Sequence, residues 1–176
     1  MSRHAVNLHT RRLAIRPFTL ADAAFIVEML NDPDWLRHIG DRNVHSMADA
    51  ERYLRTGPLA MQERHGHALW AVRSRSDDAL LGMCGLIRRE GLDDVDLGYA
   101  FLPAARGQGL AHEAAAKVLS HGFERLALPR IVAITNPDNT ASVRVLEAIG
   151  MHFERRMRVP GHDGDSLLYA AAAPPR

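Results

Sequence analysis

Arg106-Gly107-Gln108-Gly109-Leu110-Ala111 follows the strand-like run Asp96-Leu97-Gly98-Tyr99-Ala100-Phe101-Leu102-Pro103 and opens a long helical pattern. These six residues have the makings of an anion cradle. Two glycines allow the backbone to approach a ligand closely, Arg106 supplies a fixed positive charge, and the free N–H groups of a starting helix favour negative charge. A plain strand-to-helix turn accounts for the glycines equally well until further residues are added.

Downstream, Leu110, Ala114, Val118, Leu119, Phe123 and Leu126 recur at helical spacing up to Pro129, and Arg130-Ile131-Val132-Ala133-Ile134-Thr135 is β-rich. Asn139 or a neighbour caps a second helix, with Val143, Leu146 and Ile149 on one side and Gly150 as its stop. Two strands follow, at about 151–159 and 166–172, joined by the polar loop 161–165. The residues from Ala170 to Arg176 read as a fraying tail. Upstream, residues 11–18 alternate as a strand. Thr19 with Asp22 starts a helix carrying Ala23, Ile26, Val27 and Leu30 on one face, ended at Asn31-Asp32-Pro33. Residues 34–45 show no period and read as a loop, either a substrate lid or a surface connection. Ser46 with Asp49 starts another helix through about Thr56, which Gly57-Pro58 interrupts before a continuation to about Arg64. Residues 67–75, 80–88 and 95–102 form three adjacent strands, expected as an antiparallel meander.

The order is therefore β-α-α-β-β-β-α-β-α-β-β, an α/β chain of the α+β type. It implies a mixed sheet of about seven strands with helices on both faces, and a parallel crossover across 95–135. With 176 residues, one domain is expected over 1–176, its core at about 11–173.

Hydrophobic residues make up 47% and charged residues 24%, as in an ordinary globular protein. The net charge of +1 with interspersed signs argues against a nucleic-acid binder that relies on a basic face. The lone Cys84 excludes an internal disulfide and a thiolate-rich metal site, and its apolar neighbours make it a buried small residue. Ten histidines are scattered without a carboxylate or cysteine at ligand spacing, so no metal is expected. No apolar run reaches a membrane span of roughly 18 residues, and Arg3, His4 and Asn7 leave no apolar signal core, so a cytoplasmic protein is expected.

Spacing separates three phosphate-binding readings of the glycine loop. A Walker-type loop closes on Gly-Lys-Ser/Thr, whereas Gly109 is followed by Leu110-Ala111. A dinucleotide fingerprint needs a third glycine where His112 stands. The pattern Arg/Gln-x-x-Gly-x-Gly/Ala is met at each fixed position by Arg106, Gly109 and Ala111.

With that match the sequence resembles the GNAT family of N-acetyltransferases, and within it the branch that includes the ribosomal-protein N-terminal acetyltransferases. The resemblance spans nearly the whole chain, from Arg12-Leu13-Ala14-Ile15-Arg16-Pro17 to the last strand. A second motif, Asn136-Pro137-Asp138-Asn139-Thr140-Ala141-Ser142 before the helix and Gly150-Met151 after it, follows the family pattern Asn-x-x-Ser and Gly-Phe, with Met151 a departure. The resemblance implies an acetyl-CoA cosubstrate. Its pyrophosphate would lie on backbone N–H groups of Gly107, Gln108, Gly109, Leu110 and Ala111, with Arg106 nearby. The pantetheine arm would pair with backbone near Phe101 and Leu102 in a gap between two strands and contact Asn139, and Ser142 would lie near the sulfur.

The implied reaction is direct attack of a primary amine, on a protein N-terminus or a small molecule, upon the thioester. An alkyl amine is mostly protonated at neutral pH, and the departing thiolate has a free pKa of about 8.5, so both ends gain from proton transfer. Asp96 stands where relatives place Glu in Glu-x-Gly-Tyr and is the candidate base; a solvated strand-end carboxylate is the competing reading. Relatives place a Tyr acid in the helix after the second motif, where this chain has Val145. Ser142 is then the default donor and Tyr99 the second candidate. A non-catalytic acyl-CoA-binding module with degenerate acid and base groups is the alternative function. Dimers are frequent among relatives, so a homodimer is an expectation that the resemblance alone carries.

Overall fold

The computed structural model describes residues 5–175. Arg3 and His4, used above to read the N-terminus, lie outside them, as does Arg176. Alternation of apolar residues builds the sheet. Leu13 and Ile15 of β2 (Leu13–Pro17), Trp70 and Val72 of β3 (Leu69–Ser74), and Cys84 and Leu86 of β4 (Leu80–Ile87) all enter one core. On that face α5 (Leu110–Glu124) buries Leu110, Ala114, Ala115, Val118 and Leu119, and α6 (Thr140–Ala148) buries Leu146. Ala71 and Met83, one residue out of phase, join a second core with α1 (Ala23–Leu30), α2 (Pro33–His38) and α3 (Met47–Leu54). Helices thus cover both faces, as the alternation implies.

The sheet has eight strands. The additional β1 (Leu8–His9) pairs antiparallel with β2, and two residues are too few for a periodic pattern to show. Strands β2, β3, β4 and β5 (Val95–Phe101) form the antiparallel meander. β6 (Arg130–Thr135) is parallel to β5, and β8 (Ser166–Ala172) lies between β6 and the edge strand β7 (His152–Met157). Ala170, Ala171 and Ala172 pair with Val132, Ile131 and Arg130, so the tail begins three residues later than its alanines suggest: alanine has little strand signal, and the pairing comes from β6.

Two local readings are corrected. Residues 34–45 are not wholly irregular, because Asn31-Asp32-Pro33 both ends α1 and starts α2. The Asp32 side chain accepts from the Asp34 and Trp35 amides, and Pro33 takes the first helical position, where no N–H is required. Gly57-Pro58 does not break its helix. Arg55–Leu59 widens into a π turn that absorbs the missing N–H of Pro58 and continues into α4 (Ala60–His65).

β3 and β4 approach closely at Gly85, where a Cβ would stand 1.9 Å from the Ala68 carbonyl oxygen and 2.7 Å from the Leu69 Cα. Both are backbone atoms and cannot swing aside. Gly85→Ala should therefore destabilise the fold by about 2 kcal/mol or more and lower Tm by roughly 4–8 °C in a thermal melt.

Candidate active site

Parallel pairing between β5 and β6 covers Val95 with Ile131 and Asp96 with Val132, and ends there. Beyond Asp96 the strands part. The Leu102 N–H is bonded to the Leu81 carbonyl at 2.9 Å, so by alternation the N–H groups of Tyr99 and Phe101 face the opening rather than β4. Leu102 is different from the expectation: its carbonyl accepts from the Ala105 amide at 2.9 Å, so its backbone is committed at both ends and cannot pair with a ligand. The Phe101 carbonyl accepts from Arg106 Nε at 3.0 Å, which leaves its N–H.

The opening is part of a cleft of about 980 Å³ that runs from the glycine loop, past α2 and α6, to the loop between β7 and β8. At one end Gly107 and Gly109 have φ of 73° and 77°, a conformation that side-chain-bearing residues adopt only under strain. α5 begins at Leu110, and the N–H groups of Leu110, Ala111 and His112 have no hydrogen-bond partner among the described residues. β2 braces this corner. Arg12 donates from Nε to Glu113 at 2.7 Å and from Nη1 to the Gln108 carbonyl at 2.9 Å, and its own N–H reaches Glu113 at 2.8 Å. The negative charge of Glu113 in the first turn is thereby balanced, and its carboxyl is held below the usual range despite partial burial.

Arg106 does not stand free beside the amides. Its Nη2 meets Asp32 at 2.7 Å and its Nη1 meets Asp34, so its charge ties the glycine loop to the start of α2. Gln108 turns its amide back onto the Ala104 carbonyl at 2.9 Å. At α6 the Asn139 side-chain Oδ1 caps the helix by accepting the Ser142 amide at 3.1 Å, and Asn139 lines the cleft.

At the vertex of the parting strands lies Asp96, 1% exposed, which excludes a solvated strand-end carboxylate. Its Oδ2 accepts from Arg89 Nε at 2.7 Å, while its buried Oδ1 has no partner. Burial pushes the carboxyl up to about 6 against the opposing pull of Arg89 and, more weakly, of the Ile134 backbone N–H. Arg89 Nη1 lies 2.8 Å from His162 Nε2 on the loop between β7 and β8, so the imidazole there is an acceptor, and burial beside Arg89 lowers its pKa. Across the opening the Tyr99 hydroxyl is 2.9 Å from Ser142 Oγ and donates to the Ser142 carbonyl at 3.1 Å. Burial raises the Tyr99 pKa, so the phenol keeps its proton.

The structure thus brings Asp96, Tyr99, Ser142, Asn139, Phe101 and the glycine-loop amides to one cleft and turns Leu102 away. Arg89, His162 and the Arg12–Glu113 brace had not been anticipated. Across the β4–β5 hairpin, Arg88-Arg89 faces Asp93-Asp94 and Asp96, a charge complementarity that signals the first of these. Among the described residues, no three His, Cys, Asp or Glu side chains gather as a metal site, and no helix is long and apolar enough to cross a membrane.

A split parallel pair, a glycine-rich helix start and a buried carboxylate thus line a single cleft. The acetyltransferase (GNAT) domain matches residues 12–152, and the chain belongs to the GNAT family. It is 32% identical over 152 residues to the uncharacterized N-acetyltransferase YoaA of Bacillus subtilis (strain 168), covering 86% of this chain and 85% of that protein. An acetyltransferase of the same family from Bacillus anthracis superposes with a TM-score of 0.80 at 27% identity, covering 96% of this chain and 99% of the other. Mycobacterium smegmatis RimJ in complex with CoA-disulfide has a TM-score of 0.72 at 24% identity, covering 96% of this chain and 87% of its own, a likeness of fold. The protein is an acyltransferase, and acetyl-CoA is the donor its family uses.

Gly109→Val forces a β-branched residue into the left-handed region at the helix start. CoA affinity measured by calorimetry should fall roughly tenfold or more with the helical circular dichroism retained; unchanged affinity would place the phosphates elsewhere.

Proposed function

We propose that the protein transfers an acetyl group from acetyl-CoA to a primary amine by direct attack on the thioester, with Asp96 as the base. The observation that carries this is the unpartnered, buried Oδ1 of Asp96 where β5 and β6 part. From Asp96 to Phe101 the strand runs about 17 Å, and the free amides of the glycine loop lie beyond, so the cleft suits an elongated ligand with an anionic end and a reactive end. Arg89 orients the Asp96 carboxylate and keeps its pKa from rising further. An ammonium group entering the vertex would meet Oδ1, lose its proton to Asp96 directly or through water, and attack the carbonyl carbon of the thioester. The Tyr99 and Phe101 N–H groups on the open edge are placed to hold the arm and the carbonyl oxygen. The departing thiolate gains a hydrogen bond from the Ser142 hydroxyl, which the Tyr99 phenol holds in place from 2.9 Å while donating its own proton to the Ser142 carbonyl. A thiolate of pKa about 8.5 needs stabilisation more than full protonation, so a weak donor suffices. A primary amine, on a peptide N-terminus or a small molecule, is the acceptor this arrangement fits.

Asp96 acts as a base only when ionised, and its ionised fraction rises with pH through about 6. The apparent kcat/KM for an amine, followed by thiol release, should therefore fall below that pH beyond the loss from amine protonation. Asp96→Asn should lower kcat by roughly 10² to 10⁴ and remove that limb, with CoA binding kept. Thiol release by Asp96→Asn at the native rate would sink the assignment, and binding without turnover on any amine would favour a non-catalytic acyl-CoA-binding module. Arg89→Gln, which leaves the carboxyl without its cation, should move the limb to higher pH.

A further inference from the structure

The cleft wall beyond Asp96 is rich in hydrogen-bond donors. Arg42, exposed on the segment after α2, forms no hydrogen bond or ion pair among the described residues. The Tyr53 side chain, on α3, lines the same wall, and its hydroxyl has no hydrogen-bond partner among the described residues. Arg89 spends Nε on Asp96 and Nη1 on His162, which leaves Nη2. Arg42, Tyr53, Arg89 and His162 all line this one cleft. Burial raises the Tyr53 pKa, which keeps its O–H a donor. The carboxylates of the cleft are mostly engaged elsewhere. Asp34 is held by Arg106 and Asp165 by Arg156 and Arg158, so Asp163 is the acidic group of this end without an ion pair.

We propose that this wall is an anion subsite, formed by Arg42, Tyr53 and the free edge of Arg89, and that the acceptor is an amine bearing a carboxylate or similar anionic group close to its nitrogen. The inference rests on the reading of Asp96 as the group that receives the amine. Arg89 touches the Asp96 carboxylate that takes the ammonium, and its Nη2 remains for the anion. A neutral amine would leave the free donors of Arg42, Arg89 and Tyr53 without a ligand acceptor. A carboxylate would satisfy them in charge-assisted hydrogen bonds, worth roughly tenfold or more in kcat/KM. The same chemistry is offered by a free α-amino acid and by a peptide whose first residue is acidic.

Matched pairs distinguish these sources. Thiol release is compared for an α-amino acid and its carboxamide, and for peptides beginning with Asp or Glu against those beginning with Asn or Gln. At least one anionic member should exceed its neutral partner by roughly tenfold or more, chiefly through KM. Preference within the first pair identifies a free amino acid, and preference within the second identifies an acidic N-terminus. In Arg42→Gln, and to a smaller extent in Tyr53→Phe, the ratio of anionic to neutral kcat/KM should collapse towards one. Equal kcat/KM within both pairs for the native protein, or a ratio that survives Arg42→Gln, overturns the subsite. Should no amine be turned over, the reading of the reaction fails separately. Calorimetric binding of the acids and amides to native and Arg42→Gln protein then decides, with no difference between acid and amide overturning the proposal.

Discussion

The structure depends on the brevity of one strand pairing. β5 and β6 share two residue pairs and then part, so a sheet that is otherwise continuously hydrogen-bonded carries an opening in its middle. An unpaired strand edge in a sheet interior is costly unless something fills it, because backbone N–H groups need partners. Here the opening continues into a cleft, and the residue at its closed end is a buried carboxylate with one oxygen unpartnered. Backbone and side chain thus leave hydrogen-bonding capacity at the same place, which is what a polar extended ligand requires.

Much of this was legible in the chain, for identifiable reasons. The meander, the long helix and the crossover follow from periodicity, which reflects burial on one face. The cradle at Arg106–Ala111 and the capping Asn139 follow from local backbone demands: two left-handed glycines and an N-cap. What escaped was set by tertiary geometry. That Asp96 is buried while Asp94 reaches out to Arg130 depends on where the strand begins: Asp94 lies in the bend before β5, and Asp96 lies inside it where β5 pairs with both β4 and β6. The commitment of Leu102 to Leu81 depends on the register of the hairpin, and the sequence alternation of β5 does not state which amides face which neighbour. β1, two residues long, and α2, six residues long, are shorter than the windows from which a period can be read.

Electrostatics gives the cleft two contrasting carboxylates. Asp32 is buried as well, yet it receives two helix amides and Arg106, and its carboxyl lies below the usual range. Asp96 has one cation and an idle oxygen, and its carboxyl lies above that range. Burial acts on both in the same direction but more strongly on the deeper Asp96, and Asp32 receives more hydrogen bonds. The well-satisfied acid ties the glycine loop to α2, and the under-satisfied one lies where β5 and β6 part.

Arg106 joins the glycine loop to Asp32 and Asp34, and through them to the first turn of α2. The start of α2 and the corner where α5 begins are therefore held together as one unit. Exchange of α2 between relatives, as a route to altered acceptor choice, would carry across its partner's charge pattern as well. A graft lacking Asp32 and Asp34 would release a guanidinium beside the helix start, and the swapped protein would differ in its hold on the donor even though no donor residue had been touched.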